Sequence, residues 1–282
     1  MLVYNQDGEL VFHNSESGDA LKHDDYTMPI DVNPGTYTIL VWGGLEEGDS
    51  FLLNGGKIPT TLSDAVCELQ RDVTDGTHIS NTRLNPLYHG MAENVVIEDN
   101  DEIGRIRVAN IDLTKDTNTI KVMLTHNSGE EIDPDMFTFK IGDKNGRMNF
   151  DNSLLEDEEI LYHSHTKYDL PTVSFEEEGT RGTVTVTNSM MAELDLSRLM
   201  ADNNPRLTIS REGAEDDVLS LPLIQLLLHA KGEANRNMSN QEYLDRQDDF
   251  TLVFFLNEEN GWNMSAGIYI NGWHMLLQNS DI

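Results

Sequence analysis

The sequence of 282 residues has little positive charge, one cysteine and no long apolar run. Its 19 lysine and arginine residues stand against 50 aspartate and glutamate residues, which gives a formal net charge of −31. A surface of that sign repels phosphate, so the composition argues against binding to nucleic acid. The excess acid is spread along the chain, which is typical of a well-solvated surface, with weak cation sites or a salty habitat as the alternatives.

The one cysteine is Cys67. A single cysteine excludes an intramolecular disulfide bond and a thiolate metal cluster. The longest apolar-rich stretch, residues 219–230, contains Pro222, Gln225 and His229 and falls short of the roughly 18 apolar residues that a membrane-spanning helix requires. We therefore expect no transmembrane helix and no disulfide framework.

Short strands separated by turn residues dominate what the sequence does contain. β-Branched and aromatic residues are enriched in runs that recur along the chain, at 37–42, 103–111, 119–124, 136–141, 183–187, 207–209 and 251–256. Asp7-Gly8 lies between two apolar runs, and Asn145-Gly146 follows the run at 136–141. Both dipeptides predict β-hairpins.

Helical signals are few. Residues 221–231 are rich in leucine and predict one helix, and Ser239 with Glu242 matches a capping box that predicts a second. This balance predicts an all-β protein made of β-sandwiches with a few short helices. A sandwich takes about 100 residues, so we expect two in tandem, at 1–112 and 113–282, with the break between the strand-like runs at 103–111 and 119–124.

The two ends of the sequence give different impressions. Leu2-Val3-Tyr4 already reads as the first strand of a hairpin, and no basic segment followed by an apolar one precedes it. We expect a leader and an early strand upstream of this sequence, with a protein that begins at Met1 as the alternative. The other end, where an apolar strand at 267–273 precedes a short polar tail, reads as complete.

Metal-binding patterns are weak. His163 and His165 are spaced to lie on one face of a strand, but no third ligand is evident. The acidic run 98–102 resembles a calcium loop only loosely, since the EF-hand spacing fails. Ordinary strand and solvated turn are the favoured readings, so we predict no metal site and no cofactor.

Catalytic motifs are absent from the sequence. It contains no nucleophile elbow, no P-loop and no dinucleotide-binding glycine motif. Cys67 lies in a half-apolar segment and is expected to be a buried, inert thiol. A pair of carboxylates for glycoside hydrolysis stays open, because acids are abundant and the sequence gives no separations. We predict a protein that is not an enzyme and assign no catalytic residue.

Aromatic residues offer one further possibility. Trp42, Trp262 and Trp273 could line a sugar-binding face. Trp42 ends an apolar strand and Trp273 follows one, so packing in a core or at an edge is the favoured reading. A surface glycan-binding, adhesin-like protein therefore stays an alternative, which an exposed coplanar pair among these residues and Tyr269 would support.

An ordered set of segments carries a family resemblance. The segments are Pro34 to Gly44, Leu87 to Gly90, Leu113 to Val122, Gln241 to Phe250, Phe254 to Leu256 and Ile268 to Trp273. Together they resemble the FimB-like fimbrial anchor family of Bacteroidales, the accessory subunits that accompany fimbrillins. The resemblance runs over nearly the whole chain, and its most specific parts are Tyr-Leu-Asp-Arg and Ile-Asn-Gly-Trp.

The resemblance implies two transthyretin-like β-sandwich domains and a non-enzymatic anchor or accessory subunit at the cell surface. It implies fimbrillin subunits as partners and attachment to the outer membrane through a lipid-bearing cysteine upstream of this sequence. Cys67 lies too far inside the chain to take that role.

Strand physics suggests how such a subunit assembles. A sandwich with an open edge exposes unpaired N–H and C=O groups, which a segment of a neighbouring subunit can satisfy. The residues predicted to take part are Ile268, Tyr269, Ile270 and Trp273, with an ordinary structural strand as the alternative. The sequence leaves open whether this subunit donates a strand, receives one, or does both.

Overall fold

The computed structural model describes residues 1–45, 50–99, 108–126, 128, 130–176 and 184–275. Strands dominate it, in the chain order β1 (Leu2–Tyr4), β2 (Leu10–His13), β3 (Gly35–Gly43), β4 (Phe51–Leu53), β5 (Cys67–Leu69), β6 (Asp72–Thr74), β7 (Thr77–Ser80), β8 (Tyr88–Ile97), β9 (Thr114–Lys115), β10 (Asn118–His126), β11 (Phe137–Asp143), β12 (Arg147–Met148), β13 (Ile160–His163), β14 (Thr166–Glu176), β15 (Val184–Leu196), β16 (Arg206–Arg211), β17 (Leu219–Pro222), β18 (Asp249–Leu256), β19 (Ile268–Ile270) and β20 (Trp273–Met275).

Helix is confined to short segments. Two α-helices, α1 (Leu223–His229) and α2 (Asn240–Arg246), lie between β17 and β18. Short 3₁₀ turns occupy 19–22, 54–56, 62–64, 134–136, 233–235 and 264–266. The prediction of an all-β chain built from sandwich-like domains with a few short helices is confirmed.

The chain packs into two compact units that exchange segments. Unit 1 comprises 1–70, 85–116 and 146–156, and unit 2 comprises 71–84, 117–145 and 157–282. The predicted division at 1–112 and 113–282 has a single boundary. In the structure the chain passes from one unit to the other five times, and one of these passages, from Asp116 to Thr117, lies near the predicted boundary. Those predicted bounds stay a prediction for independently folding domains.

Unit 1 contains a five-stranded sheet in the order β2-β1-β3-β8-β9 and a three-stranded sheet in the order β12-β5-β4. Every pairing within them is antiparallel. Val3, Tyr37 and Ile39 are buried together in the larger sheet, and Phe12, Val95 and Ile111 are among the half-buried residues that pack on them. Tyr37 and Ile39 are two residues apart in β3, so their side chains project to the same face of the sheet, which is the face in this core.

Unit 2 contains two six-stranded sheets, in the orders β14-β15-β10-β18-β19-β20 and β17-β16-β11-β13-β7-β6. Most neighbours are antiparallel, but β10 runs parallel to β18 and β13 parallel to β7. Alternate residues of these strands are fully buried, among them Ile120, Val122, Leu124, Phe250, Leu252 and Phe254. This alternation is what a sheet with one face in the core requires.

One hairpin prediction is confirmed and the other is wrong. β1 and β2 pair across the turn at Asp7-Gly8, where Gly8 adopts a φ of 76°. The strand after Asn145-Gly146, β12, pairs instead with β5 in unit 1. A two-residue hairpin turn needs left-handed backbone at its central residues, which the structure does not give Asn145 or Gly146. Asn145 is buried and serves as a hydrogen-bonding anchor.

Two other predicted strands include residues that lie outside the described ranges. The run at 103–111 falls largely on residues outside the described ranges, and its described part, 108–111, is not a strand. The run at 183–187 belongs to β15 from Val184 onward. The leucine-rich segment divides, so that its first residues form the end of β17 and the rest form α1.

Candidate partner-binding site

The residues predicted to bind a partner lie at one edge of the first six-stranded sheet of unit 2. β19 pairs antiparallel with β18 and with β20, and the β19–β20 hairpin turns at Asn271-Gly272. Both turn residues have positive φ, 49° and 82°. Asparagine followed by glycine tolerates this left-handed backbone, so the sequence sets the hairpin locally.

The Asn271 side chain fixes this hairpin to the preceding strand. Its Oδ1 accepts a hydrogen bond from the backbone N–H of Thr251 at 2.8 Å, and its own backbone N–H donates to Thr251 O at 2.9 Å. The turn residue therefore extends the pairing of β18 beyond the end of β19.

The predicted site residues separate into a buried and an accessible set. Ile268 and Ile270 are fully buried and Tyr269 is half-buried, whereas Trp273 is 66% exposed. Since Ile270 and Trp273 are paired across the hairpin, their side chains project to the same face of the sheet. The two isoleucines are core residues, and Trp273 carries apolar surface beyond them into solvent.

The opposite face of the hairpin carries an aromatic cluster, made of Phe255, Tyr269 and His274. The Tyr269 and His274 rings have centroids 4.6 Å apart and are tilted by 32°, and Phe255 meets Tyr269 edge-on at 5.9 Å. His274 Nε2 also lies 3.0 Å from the backbone carbonyl oxygen of Ala266. These contacts order β20 although it is only three residues long.

β20 is the last strand of its sheet in the part of the chain that the structure describes. In a two-residue hairpin the residues flanking the turn exchange hydrogen bonds, and the next residue directs its N–H and C=O away from the partner strand. Trp273 therefore bonds inward to β19, and the backbone of His274 faces outward. An outward N–H and C=O beside an exposed tryptophan can receive a further strand.

The Tyr-Leu-Asp-Arg segment forms the second half of α2, and this helix is tied to the loop after β15. The Ser239 hydroxyl accepts from Glu242 N at 3.0 Å, which confirms the predicted cap, and Tyr243 and Leu244 are buried. Asp245 accepts from Arg198 Nη2 at 3.0 Å, and Gln241 bonds to Leu199 O, Ala201 N and Asp245. Sequence reasoning found the cap but not this network, because its partners lie some 40 residues earlier.

A buried carboxylate, Asp195, was missed by sequence reasoning. It accepts hydrogen bonds from Leu84 N at 3.0 Å and Thr119 Oγ1 at 2.8 Å, and His165 Nε2 lies 3.5 Å away. Nothing in the sequence distinguishes Asp195 from the other acidic residues, of which there are 50 in all. Its role is to join three separate segments of unit 2.

A second buried carboxylate lies at the end of β11. Asp143 is 6% exposed, and its Oδ1 accepts from Lys144 N at 2.8 Å and Asn203 Nδ2 at 3.0 Å. Burial raises the pKa of the Asp143 carboxyl from its ordinary 3.8 to about 6, and these two hydrogen bonds act in the opposite sense. Nearby, Asn145 accepts from the buried Tyr162 hydroxyl at 2.6 Å.

The structure does not bring the weak candidates for metal ligands together into a site. His163 ends β13, and burial lowers its pKa. His165 lies outside that strand, and its side chain, which is 6% exposed, has Nδ1 2.9 Å from Thr166 Oγ1. Within the described ranges no group of three or more histidine, cysteine or acidic side chains is arranged to hold a metal ion. Part of the acidic run 98–102 lies outside those ranges.

The three tryptophans do not form a common platform. Trp42 is buried and meets His89 edge-on, with centroids 4.7 Å apart. Trp262 is half-buried and packs edge-on against Phe254, at 6.1 Å. Only Trp273 among them is exposed. Cys67 is buried, and burial raises the pKa of its thiol, as an inert position requires.

None of the described helices is both long and apolar enough to cross a membrane. Among curated proteins, none matches this chain.

Solved structures match the chain over nearly its full length. A candidate adhesin from Bacteroides thetaiotaomicron is 28% identical, with a TM-score of 0.79 over 98% of this chain and 89% of the other. A candidate polysaccharide-binding protein from the same organism is 26% identical, with a TM-score of 0.78 over 100% and 90%.

The fimbrial anchor protein Mfa2 from Porphyromonas gingivalis shares the fold, at 17% identity and a TM-score of 0.59 over 98% of this chain and 89% of that protein. The profile of one family, the fimbrillin-A associated anchor proteins Mfa1 and Mfa2, matches residues 1–279. The predicted resemblance is thereby confirmed, and the chain belongs to the family of fimbrillin-A associated anchor proteins.

Proposed function

We propose that this chain is a non-enzymatic accessory subunit of a cell-surface fimbrium that receives a strand from a fimbrillin subunit along the edge of β20. The observation that carries the fimbrial role is the family match over residues 1–279. The position of β20 as the last strand of its sheet among the described residues, beside the exposed Trp273, supports the assembly mode.

Affinity and specificity would come from different parts of this edge. The outward N–H and C=O of His274 would bond to the backbone of the incoming strand. That strand would place apolar side chains beside Trp273 and Met275 and a polar one beside His274, because side chains alternate between the faces of a sheet. Ile268 and Ile270 would support the site from the core, without contacting the partner.

The proposed attachment to the outer membrane rests on the family alone. A lipid-bearing cysteine on residues that precede this sequence would hold the subunit in the membrane. Such an arrangement would let the subunit limit or secure the base of a growing fimbrium.

The assembly mode is tested by comparing His274→Pro with His274→Ala. Both variants lose the imidazole contacts, but only proline removes the outward N–H, and proline is tolerated at an edge position whose N–H faces solvent. We expect His274→Pro to abolish co-assembly with fimbrillins, His274→Ala to retain most of it, and Trp273→Ala to reduce it. Co-purification with fimbriae from the source cell surface is the measurement.

Two outcomes would contradict different parts of the proposal. Equal co-assembly of the proline and alanine variants would exclude the β20 edge and leave the fimbrial role standing. Absence of the unaltered full-length protein from fimbriae would remove the fimbrial role itself.

Glycan binding is the alternative function, and the aromatic cluster of Phe255, Tyr269 and His274 is the observation in its favour. Stacked rings with polar neighbours suit the apolar faces of sugars, and a relative at 26% identity is described as a candidate polysaccharide-binding protein. Titration with cell-surface oligosaccharides, comparing the unaltered protein with Tyr269→Ala, separates the two. Saturable binding that the substitution abolishes would favour the glycan.

A further inference from the structure

The sequence contains four Asn-Gly dipeptides, which begin at Asn54, Asn145, Asn260 and Asn271. In such a dipeptide the backbone nitrogen of the glycine can attack Cγ of the asparagine, because glycine has no side chain to hinder the approach. The attack is easiest where the side-chain amide and the glycine N–H are free of hydrogen bonds and the turn can rotate to bring them together. Since the four sites share the same two residues, their surroundings decide which of them reacts.

Asn145 is the most restrained of the four. It is fully buried, and its Nδ2 donates to Ser197 O at 3.2 Å and to Arg198 O at 2.9 Å. Its Oδ1 accepts from the Tyr162 hydroxyl at 2.6 Å. Rotation of this amide would break all three bonds inside the core, so we expect the site to be inert.

One hydrogen bond restrains the reacting atoms at each of two further sites. After Asn260, the Gly261 N–H donates to Asn257 Oδ1 at 2.9 Å, so the attacking nitrogen is engaged. At Asn271, Oδ1 accepts from Thr251 N at 2.8 Å, so the amide that would be attacked is held in place. Each of these bonds has to break before the reacting atoms can meet.

Asn54, at the end of β4, lacks these restraints. It is half-buried and Gly55 is exposed. Within the described ranges, no hydrogen bond engages the Asn54 side-chain amide or the Gly55 N–H. Gly55 and Gly56 have φ of 61° and 82°, and nothing lies within 4 Å of the position of a Cβ on Gly55. Because glycine moves readily between backbone regions, this turn can bring the two atoms together.

We infer that Asn54 is a site of spontaneous chemical modification, at which its amide is converted to a carboxylate. The Gly55 nitrogen forms a bond to Asn54 Cγ, the Cγ–Nδ2 bond breaks, and ammonia leaves with the proton of the Gly55 N–H. Water then opens the cyclic imide at either of its carbonyl carbons. One opening gives aspartate, and the other gives isoaspartate, in which a side-chain carbon has entered the main chain.

The modification should loosen one end of the small sheet of unit 1. Leu53 is paired with Cys67, and Asn54 N donates to Val66 O at 2.8 Å, which extends the pairing of β4 with β5 by one residue. Isoaspartate lengthens the main chain at this point by a methylene group, and both products add a negative charge. We therefore expect faster hydrogen exchange at this end of β4 in the modified protein. The inference does not depend on the fimbrial role.

The test follows all four sites in the unaltered full chain. The protein is incubated at alkaline pH in water enriched in heavy oxygen, and conversion at each asparagine is measured by peptide mass spectrometry. We expect Asn54 to convert about tenfold faster than Asn271, because the hydrogen bond at Asn271 must break first, and Asn145 to convert most slowly. The control is the same incubation in urea, where the four sites should convert at similar rates because the surroundings are lost.

Matched variants assign the reaction to the glycine nitrogen. Gly55→Ala should remove most of the conversion at Asn54, and Gly272→Ala should leave it unchanged. Both glycines have positive φ and open space at the position of a Cβ, so the two substitutions are alike in strain. Faster conversion at Asn260 or Asn271 than at Asn54 in the folded protein, the same differences between sites in urea, or an unchanged rate in Gly55→Ala would overturn the inference.

Discussion

Unit 1 and unit 2 achieve burial by different means. In unit 2, strands of six or more residues such as β10 and β18 bury alternate side chains between two six-stranded sheets. In unit 1, the second sheet has only three short strands, and the chain gains contact through backbones that come unusually close. A Cβ at Gly44 would lie 1.9 Å from the carbonyl oxygen of Pro86, and one at Gly90 would lie 2.6 Å from that of Asp112.

This difference indicates which substitutions should destabilise each unit. Unit 2 depends on side-chain volume in its core, and on polar groups such as Asp195 that join distant segments. Unit 1 also buries large side chains such as Leu40 and Phe51, but it depends in addition on positions where a side chain must be absent. Substitutions that add volume at these glycines should therefore be especially costly in unit 1, and the expected effects below run from the largest to the smallest.

Removing volume from unit 2 should have the largest effect. Phe254 is fully buried in β18, and Phe254→Ala is expected to lower the free energy of unfolding by about 3–5 kcal/mol. Urea unfolding gives the size, and hydrogen exchange should show the loss of protection in unit 2. Loss of protection confined to unit 1 would break the comparison.

Adding volume to unit 1 should come next. Gly44→Ala places a methyl group against Pro86 O and forces an L residue to a φ of 87°, so we expect a cost of about 2–5 kcal/mol. The adjacent Gly43→Ala is the control, since its Cβ would lie an ordinary 3.5 Å from Tyr88 Cβ. Equal stability of the two alanine variants would show that unit 1 adapts freely.

The buried Asp143 predicts a pH dependence. Its folded-state pKa of about 6 exceeds the ordinary 3.8, so the folded state binds the proton more tightly and acid favours folding. Stability from this group should fall as pH rises from about 4 to about 6, by about 2–3 kcal/mol in all.

The measurement is the difference in unfolding free energy between the unaltered protein and Asp143→Asn across that pH range. We expect the free energy of unfolding of the unaltered protein to fall relative to that of Asp143→Asn as pH rises. A difference that is constant with pH would show that Asp143 titrates as it does in the unfolded chain.

The smallest effect should come from a local backbone contact in unit 2. Ser239→Ala removes the cap of α2 and is expected to cost about 1 kcal/mol. Ser265→Ala, whose exposed hydroxyl donates to Asn263, should stay within about 0.5 kcal/mol. A loss at Ser239 as large as that at Phe254 would mean that unit 2 also depends on local backbone geometry.

The same contrast explains what the sequence could predict. The alternating runs of β10, β11 and β18 and the cap of α2 are local signals, and the structure contains each of them. The Asn271-Gly272 turn is equally local. For the candidate site, this was enough to place a strand in this segment and to include Trp273 among the residues predicted to bind a partner.

Contacts between segments that are distant in the chain could not be predicted from the sequence. Asn145-Gly146 has the sequence of a hairpin turn. Asn145 is instead buried and hydrogen-bonded to Tyr162, Ser197 and Arg198, and the chain continues into unit 1. The exchange of segments between the units depends on pairings such as β12 with β5, some 80 residues apart. Which site residues are buried likewise depended on the register of β19, so the isoleucines could not be separated from Trp273.

The parallel pairing of β10 with β18 has a consequence for the order in which the protein folds. Thr119 lies opposite Asp249, so closing this contact joins positions 130 residues apart. Closure of so long a loop costs chain entropy before any contact repays it, which makes such pairings slow. The centre of this sheet cannot form until β18 has left the ribosome, and until then β10 is available to other strands. We therefore expect this sheet to complete its folding only after most of the chain has been synthesised.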